Sequence, residues 1–191
     1  MDISLHHVSK QFGENQVIKD FNTIFTEGQM NCIMGASGSG KTTLINILMG
    51  LIKQDCGEIN GLQGKRIAVV FQEDRLIEHW DAIKNVRLVC DKSITAWNVE
   101  QEFVKVGLEE YLNKPVLDLS GGMRRRVAIV RAMLAKSDLV IMDEPFKGLD
   151  EALKRKVIEY VKQKMQGKTV LVVTHEKEEV QLLEATVSAL I

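Results

Sequence analysis

With 191 residues, 45% of them apolar, the chain can bury a full core and has the length of one compact unit carrying at most a small subdomain. Its formal net charge of -1 and the shortage of basic tracts argue against nucleic acid as the main partner, because phosphate-backbone binding gathers several Lys or Arg on one surface. Cys32, Cys56 and Cys90 are odd in number, far apart and free of CxxC spacing, which argues against a disulfide framework or a zinc site.

Met1-Asp2-Ile3-Ser4 shows neither a charged nor an apolar leader region, and no uninterrupted apolar stretch approaches a membrane span. The chain is therefore expected in the cytoplasm, with any link to a membrane supplied by a partner. Short apolar runs at 3–8, 17–25 and 30–34, broken at Gly13 and Gly28, predict a small β-rich lobe feeding a core strand. Cys32 falls in that strand as a buried small hydrophobe. Next comes Gly35-Ala36-Ser37-Gly38-Ser39-Gly40-Lys41-Thr42, a glycine-rich loop between strand and helix. Residues without a Cβ let backbone N–H groups close round phosphate oxygens, so the loop points to a nucleoside triphosphate. Apolar Leu44, Ile45, Ile47, Leu48, Leu51 and Ile52 predict a helix over 41–52 that is buried on most of its surface.

The run 66–71 predicts a strand ending at Gln72. From 81 to 112 the pattern turns helical and more polar, and Pro115 closes it. Leu119-Ser120-Gly121-Gly122-Met123 then places small residues and a hydroxyl at a second helix start, where unpaired N–H groups and the dipole again favour an anion. Met123, Val127, Val130 and Leu134 continue that helix, and within it Arg124, Arg125 and Arg126 read as a solvated face with one or two local ion pairs. Strands are predicted at 139–142 and 169–173, with a helix between them bearing Leu153, Val157, Val161 and Met165 on one face. Strand, helix, strand is the crossover unit of a parallel α/β core.

Phosphoanhydride hydrolysis needs charge neutralisation, a metal and an oriented water. Lys41 is placed to reach the β- and γ-phosphates, and the Thr42 hydroxyl to ligate Mg2+. Asp143 follows a buried strand at its carboxyl end and is the second candidate for Mg2+, while Glu144 is the candidate for polarising the attacking water. His175 ends the last apolar strand and, on its residues alone, reads as structural.

These residues, in this order, resemble the nucleotide-binding subunits of ABC transporters over essentially the whole chain. The loop 35–42 is similar to the family's Walker A, 119–123 to its signature motif, and 139–143 with Glu144 to Walker B and the catalytic glutamate. The resemblance implies an α/β fold: a P-loop NTPase core with a mainly parallel sheet, a small N-terminal antiparallel β subdomain and a short α-helical subdomain. It implies ATP and Mg2+ as ligands, with Gly35, Ala36, Ser37, Gly38, Ser39, Gly40, Lys41, Thr42 and Thr43 round the phosphates, Phe12 stacked on adenine, and Thr42, Gln72 and Asp143 on the metal. Glu144, His175, Gln72 and Lys41 become the catalytic set, His175 now as the switch histidine. Two subunits, as a homodimer or with a similar partner, are expected to pack head to tail, so that Ser120, Gly121 and Gly122 of one close over the ATP of the other and Asp150 couples the sites. Met123 departs from the usual Gln of the signature and removes a polar contact near the ribose.

The segment Phe71-Gln72-Glu73-Asp74-Arg75-Leu76 with Trp80 is similar to that of ABC importers of the nitrate, sulfonate and taurine type, and implies a socket at Ile77, Glu78, His79 and Trp80 for an integral membrane permease subunit. Trp97 is expected to pack within the helical part. The division expected is a core lobe of 1–77 and 136–191 with a helical signature subdomain of 78–135. The chain ends soon after His175, leaving no room for the regulatory domain of some importer ATPases. The leading expectation is an ATPase that powers transport, peripheral on the inner face of the cell membrane. The alternatives are a soluble ABC ATPase acting on nucleic acid or ribosome, and a low-turnover ATP-dependent scaffold.

Overall fold

The computed structural model describes residues 1–165 and 167–190. Its elements run β1 (Ile3–Phe12), β2 (Asn15–Phe25), β3 (Met30–Met34), α1 (Lys41–Leu48), β4 (Cys56–Asn60) and β5 (Ile67–Val70). After them come α2 (Ala82–Arg87), α3 (Ala96–Lys105), 3-10 turns at Glu109–Tyr111 and Val116–Asp118, and α4 (Gly121–Leu134). The chain closes with β6 (Leu139–Asp143), α5 (Glu151–Lys164), β7 (Thr169–Thr174), α6 (Lys177–Leu183) and β8 (Thr186–Ala189).

Two sheets result. β2, β1 and β4 form a small antiparallel sheet, and β5-β6-β7-β3-β8 form a five-stranded parallel one. Side chains on a strand alternate between faces, and here the alternation sorts the interior into two clusters. Val140, Met142, Val170 and Val172 face the helical side with Val127, Val130, Val157 and Val161. Leu139, Ile141, Leu171 and Val173 face the other side with Leu44, Ile45, Leu48 and the antiparallel sheet's Leu5 and Phe25. Both faces are covered, which is why β6 and β7 read as unbroken apolar runs.

The helix predicted over 41–52 stops at Leu48, because Gly50 takes a positive φ of 71° and Leu51 turns out to solvent. The arginine run also differs from expectation. Arg125 and Arg126 are buried at 8% and 6% exposure and donate to backbone carbonyls of distant loops, so they are internal ties and no solvated face. Trp97 does not pack inside: it lies in the first turn of α3 at 63% exposure.

Candidate functional site

Parallel strands deliver their carboxyl ends to one edge. In the register Met34 opposite Thr174, Asp143 opposite Val173 and Val70 opposite Met142, the loop after β3, His175, the Asp143-Glu144 pair and Gln72 emerge side by side. A cleft of about 240 Å³ opens there, lined by Val17, Ser37, Gly38, Gly40, Lys41, Thr42, Thr43, Gln72, Asp143 and Glu144. Gly35, Ala36 and Ser39 line an adjoining cavity with His175.

The loop's shape depends on its glycines. Gly40 has φ 91°, and a Cβ there would meet the Val17 carbonyl oxygen at 2.7 Å. Helices α2, α3, α4 and α5 are each capped by a side chain, from Asp81, Thr95, Ser120 and Asp150, whereas Gly40 supplies α1 with none. The first N–H groups of α1 are therefore left for an external acceptor. Lys41 is buried, and its ammonium donates to the Gly35 carbonyl at 2.8 Å and the Ala36 carbonyl at 2.6 Å, folding the side chain back over the loop. Ser39 Oγ is buried without a partner.

Thr42 Oγ1 donates to Asp143 Oδ2 at 3.3 Å across the floor of the cleft. Burial pushes the Asp143 carboxyl above its ordinary value, with the Thr42 bond opposing the shift. Glu144 follows with φ 44°, a left-handed conformation uncommon for a non-glycine residue, and its N–H is held by the Val173 carbonyl at 2.8 Å. That turn redirects its carboxylate away from Asp143's course, so that His175 Nδ1 lies 3.1 Å from Oε1 and Lys147 Nζ 3.2 Å from Oε2. Burial raises the Glu144 carboxyl, but Lys147 and His175 outweigh it and the net shift is downward.

The remaining expected residues stand apart from the cleft. Phe12 is half exposed at the β1–β2 turn, with Lys10 Nζ 5.2 Å from its ring centre. Ser120 Oγ accepts from Met123 N–H at 3.3 Å and Asp150 from Leu153 N–H at 3.0 Å, each capping its own helix. A Cβ on Gly122 would meet Leu149 Cδ2 at 3.3 Å and the Gly148 carbonyl at 3.5 Å, so the start of α4 rests on the loop that leads to Asp150. The phosphate cradle and the second helix start thus do not share one cleft within one chain.

Three neighbours were not singled out from the sequence. Val17 props the loop through Gly40, Lys147 neutralises Glu144, and Arg125 grips the Gln72 loop. Lys147 stands three residues after Glu144, a spacing that a search for local charge pairs would have caught; Val17 and Arg125 act across long stretches of chain and left no local signal.

The site suits a nucleoside triphosphate with a hard cation. An uncapped helix start, a glycine cradle and a buried ammonium answer to phosphate oxygens, and the Thr42 hydroxyl beside the Asp143 carboxylate, with Gln72 in the same cleft, offers the few oxygen donors that Mg2+ takes. Among the described residues no group of three or more His, Cys, Asp or Glu could hold a metal ion.

Comparison with known proteins agrees with this geometry. The family model described as ABC transporter matches residues 18–147. The ergothioneine transport ATP-binding protein EgtV of Helicobacter pylori (strain G27) is 31% identical, over 95% of this chain and 93% of the relative. Among solved structures, the dimeric structure of MJ0796, a bacterial ABC transporter cassette, superposes with a TM-score of 0.85 at 29% identity, over 98% of this chain and 94% of the other. The dimeric post-hydrolysis state of MJ0796 bound to ADP and Pi gives a TM-score of 0.83 at 30% identity, with the same coverage.

Proposed function

The chain belongs to the ABC transporter family as its ATP-binding, ATP-hydrolysing cassette, and from that premise we propose that it drives an importer by closing and reopening a pair of cassettes on ATP. The observation that carries the pairing is the separation just described: the cleft holds cradle and carboxylates, while Ser120 and Gly122 lie outside it on α4. A second copy, or a similar subunit, brings its own Ser120-Gly121-Gly122 helix start onto the phosphates held by Lys41, and its Asp150 onto the shared boundary.

In this reading the backbone of residues 35–43 orients the triphosphate and Lys41 turns from the Gly35 and Ala36 carbonyls to the phosphates. Phe12 meets the base. Thr42, Asp143 and Gln72 would hold Mg2+, which neutralises charge on the phosphate oxygens when bound. Glu144, ionised and braced by Lys147, accepts a proton from the attacking water, and His175 fixes the carboxylate's position.

The membrane-facing surface is proposed at Ile77, Glu78, His79 and Trp80. Ile77 and Trp80 are both 38% exposed, while Asn85 binds the Ile77 N–H at 2.8 Å and its carbonyl at 3.1 Å from below. The Val116 N–H donates to the Trp80 carbonyl and the Leu117 N–H to the Glu78 carbonyl, so a push on this segment reaches the strand of chain that leads to Ser120. The division into a core lobe and a helical subdomain at 78–135 follows the same line, with Gln72 and the socket at the joint. No described helix is long and apolar enough to cross a membrane, so attachment to the inner face runs through the permease. The transport role draws on the EgtV likeness, and the importer direction rests on the 71–76 segment, which also supports the nitrate, sulfonate and taurine type.

Isolation of tagged Glu144→Gln protein from gently solubilised membranes in ATP tests this. Recovery with a polytopic membrane protein supports the reading; recovery only in the soluble fraction with ribosomes or nucleic acid contradicts it.

A further inference from the structure

Two arginines of α4, Arg125 and Arg131, bind the loop that carries Gln72. Arg125 is buried, with Nη1 donating to the Phe71 carbonyl at 2.5 Å, Nη2 donating to the Gln72 carbonyl, and Nε 3.3 Å from Asp74 Oδ1. Six residues further along the same helix, Arg131 donates to the Arg75 carbonyl at 2.9 Å and the Asp74 carbonyl at 3.1 Å. Two guanidinium groups on one helix thus hold four consecutive or near-consecutive carbonyls, those of residues 71, 72, 74 and 75. A planar fork suits this work, since its donors are fixed relative to one another and bind two carbonyls without further loss of freedom.

The charge balance points the same way. The Asp74 side chain is only 18% exposed, with the Arg125 guanidinium beside it. A largely buried carboxylate paired with a buried arginine is an expensive arrangement if its only task is to join a helix to a loop, because apolar packing would join them at lower desolvation cost. What the polar arrangement adds is a fixed register between helix and loop. The helix so held is capped by Ser120, and the loop so held carries Gln72 on the wall of the cleft.

Resting on the reading of Gln72 as part of the catalytic and metal-holding set, we propose that Arg125 is a positioning residue for Gln72, the joint through which a displacement of the Ser120 helix is passed to the cleft. Arg131 is the second anchor that keeps the loop from pivoting about Arg125. Arg125 does not line the cleft; its contacts are the Phe71 and Gln72 carbonyls and the Asp74 carboxylate.

The test is a double-mutant cycle on the full chain, with ATPase kcat and KM, ATP affinity by calorimetry, and thermal melting as readouts. Arg125→Met is expected to lower kcat about tenfold to a hundredfold, the range for a misplaced catalytic group, with ATP affinity within about threefold of the parent. Arg125→Lys keeps the charge beside Asp74 but loses the fork, and is expected to recover only part of the loss. In a Gln72→Ala background, Arg125→Met should change kcat by less than about twofold, because residues acting as a unit are not additive. Losses that multiply in the double variant, or a fall in ATP affinity as large as the fall in kcat, would overturn the proposal. Should Arg125→Met fail to fold, the Arg125→Lys and Gln72→Ala pair reads the same coupling. Absence of turnover in the parent chain at high protein concentration, with ATP bound, would instead sink the ATPase reading on which the proposal rests.

Discussion

His175 Nδ1 lies 3.1 Å from Glu144 Oε1, a contact that ties the carboxyl ends of the neighbouring strands β7 and β6. With Lys147 on the other carboxylate oxygen, Glu144 is held below its ordinary pKa despite burial, so it stands ionised at neutral pH, as its proposed role as base requires. Glu144→Gln keeps the shape and removes the base. Turnover should fall by about 10²–10⁴-fold while ATP binding persists, as steady-state kinetics beside calorimetry will show.

Lys41 is the proposed phosphate-binding cation of the cradle, where its ammonium now holds the Gly35 and Ala36 carbonyls. Lys41→Ala removes its charge-assisted contacts to phosphate, each worth about 1.5–3 kcal/mol. A loss of ATP affinity of about a hundredfold or more is expected by calorimetry. Unchanged affinity would remove Lys41 from the phosphate site.

Gly40→Ala makes a sharper structural test of the loop. Its φ of 91° disfavours any Cβ, and the Val17 carbonyl stands 2.7 Å from where that Cβ would lie. The variant should lose nucleotide binding and about 1–3 kcal/mol of stability in urea melts. Gly38→Ala, with open space round its Cβ, should retain more of both.

Asp138 accepts three hydrogen bonds from Arg66, from its N–H at 2.8 Å, Nε at 3.0 Å and Nη2 at 2.8 Å, and the side-chain bonds lead in holding its carboxyl well below the ordinary range. A depressed folded-state pKa means stability that is full above the unfolded aspartate value, near 3.8, and lost as the pH falls below it. Asp138→Asn should therefore melt below the parent at pH 7, and the difference should shrink as melts are run toward pH 2.

Trp80→Ala should weaken recovery with the membrane subunit and leave ATP binding intact, whereas Trp97→Ala, exposed on α3, should change neither. Loss of ATP binding in Trp80→Ala would count against the socket.

The parts of this molecule that were legible in the sequence are those whose function needs contiguous residues. A phosphate cradle is a run of backbone, and Gly35 to Thr42 announces it in eight positions; buried parallel strands are unbroken apolar runs, and 139–142 and 169–173 are such runs. The parallel core followed from these, and the antiparallel character of the N-terminal lobe from the family resemblance. Arg125 misled because its partners, the Phe71 and Gln72 carbonyls, are more than fifty residues away, and a guanidinium satisfied by distant backbone looks like any surface arginine in a local window. Leu51 misled for the opposite reason: the helical stripe is real up to Leu48, but Gly50 in a left-handed turn ends it before the stripe does.

The central claim is that ATP is sandwiched between two chains, and the most direct measurement is the mass of purified Glu144→Gln protein by light scattering, with and without ATP and Mg2+. The account predicts 21.5 kDa without nucleotide and twice that with it, reverting to 21.5 kDa when Ser120→Arg is added. A mass that stays at 21.5 kDa with ATP fully bound, or a dimer indifferent to both ATP and Ser120, would contradict it.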